Sequence, residues 1–177
     1  YDIAATLSYT CRERSDDLQS PFIQGWIDSG FLTEHSGSCI DYDMIEADIK
    51  AASDEWNVAT WAYDPRYASQ LAQHLQLAYG DDAVYAFQQS HAKYNEPFRA
   101  FERAVTGGTL RHVNDPCLAW QAGNLQITRN SYDHWMPDKS VNASKIDAMV
   151  SILMAFSECL FNGGAFGGKY KAGSLFD

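Results

Sequence analysis

Apolar positions cluster in short runs separated by polar stretches, and their spacing predicts most of the elements. Residues 3–9 read as a strand, and the polar stretch 12–20 as a loop. Pro21-Phe22-Ile23-Gln24-Gly25-Trp26 opens a short helical turn that stops at Gly30, and 31–40 gives two short extended pieces around Ser36-Gly37, a predicted hairpin. From Asp43 onward, Met44, Ile45, Ala47, Ile49, Ala52 and Trp56 are spaced to bury one face of a helix. Residues 58–63 are β-rich, too short for a helix, and end at Asp64-Pro65. A helix over 67–79 closes at Gly80, followed by a strand over 83–87.

The second half continues in the same manner. A helix is predicted over 96–105, with Pro97 early and Gly107-Gly108 after it, the asymmetry common at helix ends. Residues 110–113 are extended and 116–122 helical, and 125–128 with 133–136 flank a turn at 129–132, a second hairpin. The last helix spans about 145–161, and 163–174 is Gly- and Lys-rich and reads as a loose tail. Strands first, then strand–helix–strand–helix, predict a mixed α/β sheet in a single domain over 1–162, with a flexible tail over 163–177. The length of 177 residues suits one domain with a real core.

Composition narrows the function classes. Thirteen basic against 23 acidic residues leave a formal charge of −10. Such a surface does not hold DNA by bulk electrostatics, so any nucleic-acid role requires a local patch or bound cations. No apolar run approaches the ~18–20 residues that cross a bilayer. Tyr1-Asp2-Ile3 lacks the basic start of a signal peptide, so membrane and secretory readings fall away. Cys11, Cys39, Cys117 and Cys159 form no CxxC pair and read as reduced, mostly buried thiols of a cytosolic protein.

Two aspartates stand where chemistry could sit. Asp64 follows a strand at its carboxyl end, where open α/β sheets place their sites. It equally fits an N-cap before Pro65 at the start of a helix. Asp147 lies in the first turn of the last helix, where Ser144 and Asp147 also fit a capping box. Together the two could be carboxylate ligands of Mg²⁺ or Mn²⁺, hard cations that take oxygen donors, although two carboxylates are usually too few. The run 163–170 fits GxxxxGK, but Tyr170 replaces the Ser or Thr of a P-loop, and the run follows a helix. His35, His74, His91, His112 and His134 show no zinc spacing, and no GxSxG or Cys–His pair marks a covalent nucleophile. Arg99, Arg103, Arg111 and His112 form a local basic cluster, either a solvated face or a contact for a phosphate backbone.

An ordered set of short motifs carries a resemblance. Trp26-Ile27-Asp28-Ser29-Gly30-Phe31-Leu32, Gly37-Ser38-Cys39-Ile40-Asp41-Tyr42 and Ala62-Tyr63-Asp64-Pro65 come first. Gln88 and Gln89, Gly107-Gly108-Thr109-Leu110-Arg111-His112 and Asp115-Pro116 follow. Asn124, Asp138-Lys139-Ser140 and Lys145-Ile146-Asp147-Ala148-Met149 complete the order. Over about residues 20–160 the set resembles the phage terminase large subunit, in its HK97-like branch. The resemblance implies the C-terminal nuclease domain: an RNase H-like mixed β-sheet flanked by helices, an extra hairpin beside the site, and a divalent-metal centre of Mg²⁺ or Mn²⁺.

Carried over by position, Asp64 matches the family's second metal-binding acid and Asp147 its third, both catalytic. Lys139 and Asn124 match recurrent polar positions, and Ala148 stands where the family usually has Gly. The family's first acid lies on a strand expected to precede 3–9, so that strand reads as missing, as does the ATPase domain. The implied activity is two-metal cleavage of concatemeric double-stranded DNA in the bacterial cytoplasm. Implied partners are the portal protein, the small terminase subunit and an N-terminal ATPase domain. Arg99, Arg103, Arg111, Arg129 and Lys139 are the expected DNA contacts. The competing expectation is a non-catalytic RNase H-like module that docks portal or ATPase partners. A resolvase or transposase shares the metal logic but not the motif order.

Overall fold

The computed structural model describes residues 2–3, 8–11, 21–56, 58–66, 68–140 and 145–166. Its core is built where the two most apolar stretches of the second half meet. Helix α4 (His91–Thr106) buries Tyr94, Pro97, Phe98, Ala100, Phe101 and Ala104, and α6 (Asp147–Phe166) faces it with Met149, Val150, Ile152, Leu153, Met154 and Phe156. Phe101 and Phe156 meet edge to face at 5.4 Å, and Leu153 is fully buried. Each such side chain contributes about 1.5–3 kcal/mol by leaving water, so this pair of helices is the structural base of the molecule.

Helix α4 begins five residues before the expected start at Glu96. Ser90 is the cap, its hydroxyl accepting from the Lys93 N–H. Pro97 therefore lies in the second turn and not at the entry, and its ring is almost wholly buried among the core side chains. One backbone hydrogen bond is lost there, and apolar burial offsets it.

Short strands surround this base. β1 (Asp2–Ile3) runs parallel to β6 (Arg111–His112), with Ile3 opposite His112. β2 (Tyr9–Cys11) runs parallel to β3 (Thr33–His35), and α1 (Pro21–Asp28) lies between them in sequence. β4 (Trp61–Tyr63) runs parallel to β5 (Val84–Ala86) across α3 (Ser69–Tyr79), a strand–helix–strand unit with Ala62 opposite Tyr85. Among the described residues, only β7 (Ile127–Arg129) and β8 (Trp135–Pro137) pair antiparallel, as the expected hairpin around 129–132.

The strand expected over 3–9 divides between β1 and β2. The predicted hairpin over 31–40 is absent: β3 pairs with β2, and residues 36–39 bend toward α2 (Tyr42–Trp56). The Asp41 carboxylate then accepts from the Asp43 and Met44 N–H groups and starts that helix. α5 (Pro116–Asn124) follows the buried Asp115, whose carboxylate accepts from Cys117 and Leu118 N–H, with Pro116 at the first helical position. α1 meets α5 through Phe22, Trp26 and Trp120, with the two tryptophans 5.6 Å apart. The backbone of α6 runs on through Phe166, taking in the first residues of the expected tail. The remaining tail, including Gly167-Gly168-Lys169-Tyr170, lies outside the described residues, as do the loop 12–20 and Ser144.

Candidate active site

Asp64 is the first residue after β4, which is tied to β5 on one side and packs Ala62 into the core formed with α6. Its Oδ1 accepts from the Arg66 N–H at 3.0 Å, closing a turn at Pro65-Arg66. The helix that follows starts only at Ser69, with Ala68 before it and no side-chain cap. Asp64 is thus no helix cap. Its other oxygen takes no hydrogen bond from the described residues.

Next to Asp64 the pairing of β4 and β5 continues past the end of β5. The Phe87 N–H donates to the Tyr63 carbonyl at 2.8 Å, extending the β4–β5 ladder by one residue. The Tyr94 hydroxyl donates to Gln89 Oε1, and Gln89 Nε2 reaches Met154 Sδ on α6 at 3.4 Å. Burial pushes the Tyr94 phenol well above its ordinary range, Gln89 draws it back, and the nearby Asp64 carboxylate adds to the rise. Asp64 therefore lies within electrostatic reach of a hydrogen-bonded pair anchored on α6.

Asp147 opens α6 as its first residue; Ser144, its expected cap, lies outside the described residues. Its side chain is 72% exposed and Oδ1 accepts from Lys139 Nζ at 3.1 Å. The N-terminus of α6 is held from α5. Gln121 Oε1 accepts from the Ala148 N–H at 2.8 Å, and Asn124 Nδ2 donates to the Lys145 carbonyl at 3.3 Å. Ile146, buried, plugs the segment into the core.

The five basic residues do not form one patch. Arg99 and Arg129 converge on the hairpin: both bind the Asp133 carboxylate, at 2.8 and 3.1 Å, and both lie over the Trp135 ring, at 4.4 and 5.0 Å. Asn95 Oδ1 completes this joint by accepting from Arg99 Nε and the Trp135 N–H. Arg103 pairs with Glu96 on the exposed face of α4 at 3.3 Å, Arg111 sits on β6, and Lys139 is the one that reaches a candidate acid. Gln121 and Asn95 drew no notice in the sequence, because each partner lies far along the chain and amides carry no signature spacing.

Two carboxylates with uncommitted oxygens are hard donors of the kind Mg²⁺ and Mn²⁺ take. Among the described residues no group of three or more His, Cys, Asp and Glu side chains is placed to hold a metal. No described helix is long and apolar enough to cross a membrane.

The chain is 27% identical over 154 residues to Protein YmfN of Escherichia coli (strain K12), a match spanning 86% of the chain and 33% of that protein. Its structure is similar to the crystal structure of the HK97 bacteriophage large terminase, with TM-score 0.73 and 22% identity, over 84% of the chain and 32% of that protein. It is also similar to the large terminase nuclease from thermophilic phage G20c, with TM-score 0.51 and 14% identity, over 69% of the chain and 64% of that one. The chain thus spans about a third of YmfN and of the HK97 protein. The fold is the mixed α/β, RNase H-like architecture of these nuclease domains. A family model described as the terminase large subunit, endonuclease domain, matches residues 6–162, and the chain belongs to that family.

Proposed function

We propose that this chain is the divalent-metal-dependent endodeoxyribonuclease part of a viral DNA-packaging terminase, cutting concatemeric double-stranded DNA by two-metal phosphodiester hydrolysis. The observation that carries the reading is the placement of the two acids. Asp64 directly follows a strand and Asp147 begins a helix, and strand and helix are packed into one core through Ala62. Asp64 and Asp147 are the residues that would hold Mg²⁺ or Mn²⁺. Water, DNA phosphate and a further carboxylate would complete the coordination. When bound, the ions supply positive charge at the scissile phosphate and a readily deprotonated water.

The chain's own groups prepare that site. The Arg66 N–H holds one Asp64 oxygen and leaves the other without a hydrogen bond from the described residues. Lys139 balances the Asp147 charge and stands ready to pair with a phosphate instead. Arg103, Arg111 and the remaining N–H groups of Arg99 and Arg129 contact the DNA backbone, with little reading of bases. Portal protein, the small terminase subunit and an ATPase domain are the partners, in the cytoplasm of the bacterial host.

The test is calorimetric titration of the chain with Mn²⁺ beside Asp64→Asn and Asp147→Asn, followed by cleavage of linear duplex DNA. Binding in the wild type that is lost in both variants supports a shared site. A wild type that takes up no Mn²⁺ at millimolar concentration removes the metal site from these residues. Mn²⁺ binding without cleavage favours the docking module.

A further inference from the structure

Asp147 combines an exposed carboxylate with a backbone tied on both sides. A helix that starts at Asp147 has first-turn N–H groups without intrahelical partners, usually met by a Ser, Thr, Asp or Asn just ahead. Here the acceptor for the Ala148 N–H is Gln121 Oε1, from a different helix and 27 residues away. Gln121 is only 6% exposed, although glutamine is ordinarily a surface residue, so its amide is committed to an interior task. Its Nε2 turns back to Cys117 Sγ at 3.6 Å, one turn up the same helix, which fixes the direction of the amide. Asn124, three residues on and so on the same side of α5, donates to the Lys145 carbonyl.

We propose that Gln121 is a positioning residue for Asp147, forming with Asn124 an amide clamp that grips residues 145 and 148 and so fixes where the carboxylate between them stands. The inference rests on the reading of Asp147 as a metal ligand. α5 is a suitable anchor, with Asp115 capping it, Cys117 and Leu118 buried, and Trp120 in contact with Trp26 of α1. Val150 N–H donates to the Ile146 carbonyl at 3.0 Å, so the clamp sits where the helix begins to hold itself. A ligand carboxylate leaves little tolerance in its backbone position. Groups that orient ligands without touching the metal typically change affinity ~10–100-fold when removed.

The experiment compares wild type, Gln121→Met, Gln121→Glu and Asn124→Ala. Mn²⁺ affinity is read by calorimetry, the bound ion by electron paramagnetic resonance, the Ala148 amide by hydrogen exchange, and folding by circular dichroism. Methionine keeps the length and loses the acceptor, whereas glutamate keeps the acceptor. The expected result is Mn²⁺ binding weakened ~10–100-fold in Gln121→Met, with faster exchange at Ala148 and an altered resonance spectrum, and largely restored in Gln121→Glu. Asn124→Ala, at a half-buried position, weakens binding in the same direction and serves where Gln121→Met does not fold. Folded variants that bind Mn²⁺ as the wild type does overturn the clamp and leave the metal reading standing. A wild type that binds no Mn²⁺ overturns the metal reading, and the clamp's role with it.

Discussion

Lys139 and Asp147 form an exposed pair, at 51% and 72% side-chain exposure, and that sets what each can do. An ion pair so open to water contributes about 0–1 kcal/mol to stability, since screening and side-chain entropy cancel most of the attraction. Lys139→Ala is therefore expected to leave the urea midpoint nearly unchanged, within about 0.5 kcal/mol. Its effect should appear instead in duplex DNA binding, which weakens if the ammonium pairs with phosphate. A large loss of stability with unchanged DNA binding is the opposite pattern, and would make the pair a structural strut. Of the candidate site residues, Asp64 and Asp147 stood out in the sequence because an acid directly after a strand or at a helix start is a local pattern. Their surroundings were less so. The helix expected at 67 made Asp64 look like a cap, and the true start at Ser69 leaves it in a turn with Arg66. Gln121 could not be found at all, because its partner is set by how α5 lies on α6.

At the scale of elements, the hairpin joint invites a pH experiment. Hydrogen bonding from Arg99 first, and then the charges of Arg129 and Arg99, hold the Asp133 carboxylate below its ordinary range. A carboxylate depressed in the folded state adds stability that is fully present above its unfolded value, about 4, and is lost as pH falls through the lower folded value. The docking of β7–β8 on α4 is thus expected to hold at neutral pH and loosen only in strong acid. The Trp135 indole resonance, followed by NMR against pH, checks this; Asp133→Asn should abolish the acid step. The core helices behave differently. Leu153→Ala empties a site with no exposure and is expected to cost about 2–5 kcal/mol, read from urea unfolding. The second hairpin was legible because its turn is local, with Asn130 Oδ1 accepting from Tyr132 and His134 N–H. Parallel pairing was not: β3 lies beside β2 across α1, and nothing within 31–40 announces a partner 24 residues upstream.

For the molecule as a whole, the governing quantity is a charge of −10 against the polyanionic substrate of the proposed function. At low salt the apo surface and DNA repel each other, and the five candidate contacts do little against that background, two of them being bound up with Asp133. Under the proposed function, divalent cation at Asp64 and Asp147 changes the sign of the field where the phosphate must sit. Affinity for a short duplex is therefore expected to rise on adding Ca²⁺, which takes the same oxygen ligands, and to fall again with chelator. Replacing both acids with asparagine removes two negative charges, changing the formal total from −10 to −8. The double variant should bind duplex better than the wild type without metal, and should gain nothing from Ca²⁺. Fluorescence anisotropy at fixed ionic strength measures all four conditions. Equal gains from Ca²⁺ in both proteins would place the cation's effect on the acidic surface at large. A gain confined to the wild type would place it at these two carboxylates.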